Sequence, residues 1–171
     1  MRRLIQTAAI AAALLLTACG TLPFTPAQYP IRDGLISSMP VSGQARFVNA
    51  QTSTAPVTVY SYGGTSLSSD LHSITEVMAD QASEEVRKAS QPAAGPAKTI
   101  DLKVNSLVSE YAIAFHWKSK LDFEAHLGNG EVIKMTVNHS SGVLQQDLDG
   151  CIAQAVMALL NDEKLRAYLA Q

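Results

Sequence analysis

Apolar residues recur along this chain with two different periods, and the places where the period changes mark out its elements. Residues 45–50 and 57–62 are short extended candidates; in the second, Val57 and Val59 alternate with Thr58 and Tyr60 before Gly63-Gly64 ends the run. From about Asp70 to Ala89 the period lengthens. Leu71, Ile74, Val77, Met78, Ala82 and Val86 fall on one stripe at steps of three and four, with Glu76, Asp80, Glu84, Arg87 and Lys88 elsewhere. That spacing predicts an amphipathic helix with Ser68, Ser69 and Asp70 as candidate N-caps, broken by Pro92 and Gly95-Pro96.

Alternation then returns. Ile100, Leu102, Val104 and Val108 are apolar at even positions; from Tyr111 the phase is odd, through Ile113, Phe115, Trp117, Leu121, Phe123, Ala125 and Leu127. A period-2 element changes face only by gaining or losing a residue, so a turn or bulge is expected near Ser109-Glu110, where two strands would meet. The phase also places Trp117 with the core. At Gly128-Asn129-Gly130 a two-residue turn would set Ala125 against Lys134 and Phe123 against Thr136. A three-residue loop with Gly130 as a left-handed bulge pairs Ala125 with Ile133, Phe123 with Met135 and Leu121 with Val137, and only this register makes one apolar face. The pattern therefore predicts an antiparallel meander of about three strands over residues 99–139.

A final helix is predicted from about Leu144 to Leu160, with Leu144, Leu148, Cys151, Ile152, Ala155, Val156, Leu159 and Leu160 on a broad face. Asn161-Asp162 stops it, and Glu163 to Leu169 forms a short terminal helix. Two striped helices and a sheet with one apolar face bury each other when both helices lie on that face. The expected fold is α+β: a two-layer sandwich in β-β-α-β-β-β-α order, its two main helices on one face of a mostly antiparallel sheet and the other face in water.

The start of the chain has a different character. Arg2 and Arg3 precede AAIAAALLL, from Ala8 to Leu16, which is apolar but about half the ~20 residues a membrane-spanning helix needs. It ends in Leu16-Thr17-Ala18-Cys19, a lipobox: small residues that fit a peptidase cleft, then a thiol that accepts diacylglyceryl. Residues 1–18 are read as a lipoprotein signal peptide, Cys19 as the lipidation site, and two or more acyl chains there as a durable membrane anchor. Residues 19–44 hold four of the seven prolines and are read as a lipid-anchored, Pro-rich tether. Leu35, Ile36 and Met39 give that tether the alternative of docking on the domain, which comprises residues 45–171.

Composition narrows the function classes. Of 13 basic residues Arg2 and Arg3 would leave with the leader, against 15 acidic ones, so the mature chain is mildly acidic and offers no basic stripe for nucleic acid. Once Cys19 is acylated, Cys151 has no disulfide partner, and its apolar helical setting predicts a buried, inert thiol. His72, His116, His126 and His139 lie on different elements without metal-ligand spacing, and no nucleophile elbow or phosphate loop occurs. His116, Glu124 and His126 share the polar sheet face, where a solvated mixed-charge surface is preferred to a metal site. No enzyme activity, metal or cofactor is expected. Tyr60 and Tyr62, on the face away from Val57 and Val59, and Lys118 and Lys120 are the candidate partner surface.

The stretch from Ser69 to Gln91, the strands IDLKVNSL and KLDFEAHLGNGE, and the run DLDGCIAQAVMALLNDEKLRAYL resemble, in order and spacing, the YajG-like outer-membrane lipoproteins. The resemblance covers most of Val57 to Gln171, with the Asn129-Gly130 turn and the final short helix as its sharpest points. The layout is also similar to that of the LptE-like and ABC-transport auxiliary lipoproteins. The resemblance implies no catalytic residues, and it implies outer-membrane sorting, since Gly20 rather than Asp follows the cysteine. The expected function is an outer-membrane-anchored lipoprotein facing the periplasm, its domain binding an envelope protein in an accessory role. The alternative is lipid or lipopolysaccharide handling, which requires a cavity between helices and sheet or a basic patch. Lys103, Lys118, Lys120 and Lys134 are interspersed with Asp101, Asp122 and Glu124, a mixture that favours protein contact.

Overall fold

The computed structural model describes residues 20–171. Within them nine strands and three helices run in the order β1 (Thr21–Pro23), β2 (Met39–Ser42), β3 (Ala45–Asn49), β4 (Pro56–Tyr62), β5 (Thr65–Asp70), α1 (Leu71–Ala89), β6 (Ser90–Ala93), β7 (Lys98–Ile113), β8 (His116–Leu127), β9 (Val132–Ser141), α2 (Leu144–Leu160) and α3 (Glu163–Ala170). Seven strands form one mixed, mostly antiparallel sheet in the order β1-β5-β4-β7-β8-β9; β3 also pairs with β7, and β2 with β6 makes a separate parallel ribbon. Helices α1 and α2 pack on the same face, so the fold is the expected α+β sandwich.

Local chemistry accounts for the element boundaries. Asp70 is the N-cap chosen from the three candidates: its Oδ1 accepts the Ser73 N–H at 2.7 Å, an interaction worth about 1 kcal/mol. Asp162 caps α3 in the same way, accepting the N–H groups of Lys164 and Leu165. The β8–β9 hairpin has the predicted register, with Leu121 opposite Val137, Phe123 opposite Met135 and Ala125 opposite Ile133. Gly130 supplies the left-handed bulge at φ 90°, where a Cβ would be strained.

The β7 strand departs from expectation. No turn occurs at Ser109-Glu110; the strand runs on to Ile113, and the phase change comes from a bulge, since Val104 pairs with Phe123 but Ser106 with Asp122, leaving Asn105 extra. On the other side of β7, between the end of its pairing with β3 at Leu102 and its pairing with β4 at Ser109, side chains take the backbone groups. Val104 N–H donates to Thr75 Oγ1 of α1 (3.1 Å), and Val104 C=O accepts from Gln51 Nε2 (2.8 Å). Leu107 and Ser109 thereby take the buried phase, and Val108 is left exposed. A second bulge leaves Ala112 extra, and the chain turns at Ala114-Phe115. Ile113 and Phe115, expected in the core phase, are 71% and 78% exposed.

A third bulge lies in β4, between Thr58 and Tyr60. It places both Val59 and Tyr60 in the interior, so Tyr60 is buried and not part of an outer surface. The polar strand β5 (TSLSSD) has one apolar residue, Leu67, and gives no alternation to read. Pro92 lies within β6 rather than merely ending a helix.

The Pro-rich segment does not stand off as a spacer from residue 20 onward. It docks, as Ile36 and Met39 permit, although Leu35 itself stays 51% exposed. β1 pairs with β5; Phe24, Met39 and Val41 are buried; Ala27 N–H donates to Asp149 Oδ1, and Arg166 Nη2 donates to Ser38 C=O. Prolines suit this path because an extended strap needs few backbone donors of its own. The expected signal peptide with its lipobox residues Leu16, Thr17 and Ala18, and the expected lipidation site Cys19, lie outside the described residues.

Candidate functional site

Three of the constellations among the described residues that carry polar or aromatic chemistry lie in or around the meander. The most buried centres on Asp147, in the first turn of α2. Its side chain is wholly buried; Oδ2 accepts from Ser109 Oγ at 2.8 Å and Ser119 Oγ at 2.5 Å, and Oδ1 lies 3.2 Å from His139 Nδ1. Ser109 is on β7, Ser119 on β8 and His139 on β9, so one carboxylate ties α2 to all three meander strands. Its position near the helix N-terminus also favours negative charge. Gly150 makes room: a Cβ there would stand 2.5 Å from His139 Cε1. Both hydroxyls donate to the carboxylate and none to the imidazole, so this is not a base-activated nucleophile. It is a closed network that positions a helix.

The sequence pattern gives His139 no role, since it lacks metal-ligand spacing, and leaves Asp147, Ser109 and Ser119 unmarked. A signal is present all the same: Asp147 sits between Leu144, Leu148 and Cys151 on the apolar stripe of α2, and a carboxylate on such a stripe must be buried with partners. Cys151, one turn on, is buried; desolvation, with the Asp147 and Asp122 charges adding to it, pushes its thiol up to about 12. It is the buried thiol that its setting predicts.

The second constellation is the open sheet face. Lys118 and Lys120 are exposed there; Lys118 lies opposite Glu110 and Ser140, and Lys120 opposite Val108 and Asn138. These six residues line one open groove. Farther along the face Glu124 is engaged by Lys103 (3.5 Å), Lys134 (3.7 Å) and His126 Nε2 (3.7 Å). Asp122 accepts from Thr136 and Ser106, and those hydroxyl bonds hold its carboxyl below the ordinary range. The face is the mixed-charge surface expected of it. His116 lies apart from His126, opposite Ile113 at the far end of the sheet. Among the described residues no group of three His, Cys, Asp or Glu is placed to hold a metal ion.

The third lies at the end of the sheet where β7 turns into β8. Tyr62, 58% exposed, stacks on Tyr111 at 4.8 Å, and Tyr111 meets Trp117 edge-on at 5.7 Å. Tyr60 opposes Ser109, whose hydroxyl points to α2, so Tyr62 and Tyr111 two residues on share the helix side. Tyr62 is therefore on the opposite face from Lys118 and Lys120, and the structure divides the expected partner surface in two. Trp117 is half-buried in this aromatic group rather than central to the core.

No family model matches this chain, and no curated protein does. Among solved structures it is similar to protein XCC0632 from Xanthomonas campestris, of family DUF330, with 14% sequence identity and a TM-score of 0.47, over 88% of this chain and 95% of that one.

Proposed function

We propose that this chain is an envelope lipoprotein of the YajG-like kind, held on the outer membrane by acyl chains on Cys19, and that its domain binds a protein partner in the periplasm. The supporting observation is where the domain is full and where it is open. The space between helices and sheet, which a lipid carrier would need, is filled by Ile74, Met78, Leu102, Phe123, Leu148 and Ile152, each at most 2% exposed. The meander's other face is uncovered, and β9, ten residues long, is hydrogen-bonded on one side only among the described residues. A free strand edge beside a groove of mixed charge suits an extended segment of another protein: main-chain bonds give affinity, and Lys118, Lys120 and Glu110 select the sequence. The reading assigns no catalytic step.

A photo-crosslinking residue placed at Lys120 or Asn138 in intact cells tests this. The expected result is an adduct with one envelope protein, absent when the same residue replaces Arg87 on the helix layer. Adducts with lipopolysaccharide or phospholipid and no protein from the groove positions, or no adduct at all, would sink the reading.

A further inference from the structure

The turn joining β7 to β8 is built against local preference. Ile113 pairs with His116, leaving a two-residue turn in which Ala114 (φ 40°) and Phe115 (φ 59°) both lie in the left-handed region. Such turns take Asn-Gly or Asp-Gly, because a side chain there is crowded against the backbone. Here the turn holds an alanine and a phenylalanine. The Phe115 N–H is not left loose: it donates to the Tyr111 hydroxyl at 3.2 Å. The strained turn thus holds Phe115 (78% exposed) and Ile113 (71%) out in solvent, with half-exposed Val143 beside them and Tyr62 at the next strand end. From Tyr111 to Trp117 the only titratable side chain besides the tyrosine hydroxyl is that of His116.

Strand register shows what lies beside this tip. Thr21 is opposite Ser66, Ser66 opposite Ser61, and Tyr60 opposite Ser109. β1 therefore starts at the level of Glu110 and, running antiparallel to β7, points its N-terminal end toward the tip. Cys19 is two residues before Thr21, within about 8 Å of chain. Three strand spacings of about 4.8 Å, β1 to β5 to β4 to β7, separate the two laterally. The N-terminal end of β1, which leads to Cys19, and the apolar tip lie at the same end of the sheet.

We propose that Ile113 and Phe115 insert into the membrane beside the acyl chains on Cys19, with Tyr62, Tyr111 and Trp117 behind them at headgroup level, where amphipathic aromatic rings are favoured. This rests on the anchoring reading above. It adds an orientation: the domain stands on the bilayer with its strands upright, so that Lys118, Lys120 and the β9 edge face sideways just above the headgroups. The occupant of the tip is lipid rather than protein because the anchor sets that end against the bilayer.

The full-length chain, purified from membranes, carries an environment-sensitive fluorophore at Ala114→Cys, with Thr136→Cys on the open face as control; buried Cys151 does not compete for the label. In vesicles of phosphatidylethanolamine and phosphatidylglycerol with brominated acyl chains, the probe at 114 is quenched several-fold more than the probe at 136. Equal quenching at both positions overturns the proposal, and so does a probe at 114 that is shielded from water but untouched by brominated lipid, as for a tip held by another protein. The mass of the same preparation reports acylation of Cys19 independently. If that residue proves unmodified, the anchoring reading fails, and the tip is judged from Cys19→Ser protein titrated with the vesicles. Binding weakened about tenfold or more by Ile113→Ser with Phe115→Ser supports insertion, since each side chain carries apolar area worth about that factor; absent or unchanged binding refutes it. The variant Phe115→Gly, carrying the same probe at 114, guards against misfolding as an explanation: relief of the left-handed strain at residue 115 raises its melting temperature while its quenching by lipid falls.

Discussion

Replacing Asp147 with alanine removes the acceptor shared by three strands. Ser109 and Ser119 are 3% and 2% exposed, so water does not readily replace the carboxylate at either hydroxyl, whereas His139 reaches the surface and can be solvated. Two stranded hydroxyls at about 1–3 kcal/mol each put the loss at roughly 3 kcal/mol, a large part of the 5–15 kcal/mol that holds a typical domain together. For a domain of this size that is a drop of about 6–12 °C in melting temperature. Urea denaturation followed by circular dichroism measures it. A second, sharper outcome is expected of the same mechanism. Adding Ser109→Ala and Ser119→Ala to Asp147→Ala removes the stranded hydroxyls and returns part of the loss, because a site apolar on both sides costs less than one half-emptied. A loss below about 1 kcal/mol for the single variant, or further destabilisation on adding the serine changes, would refute the reasoning. A gain in stability would show instead that the cluster is a strained functional site.

Asp149 offers a test in pH. Burial raises its carboxyl above the ordinary value, although Ala27 N–H and Gln145 donate to it. The folded state thus holds the proton more tightly than the unfolded chain, a contribution present below the unfolded value near 3.8 and lost as pH rises through the folded one. Asp149→Asn removes that decline, and its melting temperature at pH 7 equals or exceeds the parent's; a lower value there contradicts the assignment. Asp122 runs the other way: its lowered value gives stability that is present above the unfolded value and is lost as pH falls through the folded one, so Asp122→Asn flattens the acid limb of the stability curve. Cys151, with its thiol pushed up to about 12, reacts with iodoacetamide at the rate of global unfolding and no faster; labelling of the native protein within minutes at pH 8 would show it to be accessible.

The parts legible in the sequence are those where a local rule leaves one answer. Gly130 and the demand for one apolar face determine the β8–β9 register, and stripes at three- and four-residue steps mark both main helices. The hidden parts share a cause. Val59, Asn105 and Ala112 are extra residues in bulges, and an extra residue flips the face of every position downstream without any turn signal. Asn105 moves the apparent strand end to Ser109, and Val59 buries Tyr60. Long-range pairing is equally hidden. Phe24 and Val41 hold the Pro-rich segment on the domain through partners far along the chain, and Ser109, Ser119, His139 and Asp147 belong to four elements. Lys98 is another case: it is buried under α3 with its ammonium donating to Tyr168 C=O at 2.7 Å, which nothing around it in sequence suggests. Lys118 and Lys120 are legible as one surface because they share a strand and a phase.

First among the proposals for this chain is that Cys19 carries the lipid that sets the domain on a membrane. Cells expressing the full-length chain, fed radiolabelled palmitate and then fractionated, decide the matter. The expected result is label in the parent protein, recovery of that protein in the outer-membrane fraction, and no label in Cys19→Ala. Parent protein without label, or label that persists in Cys19→Ala, would contradict lipid anchoring at this residue.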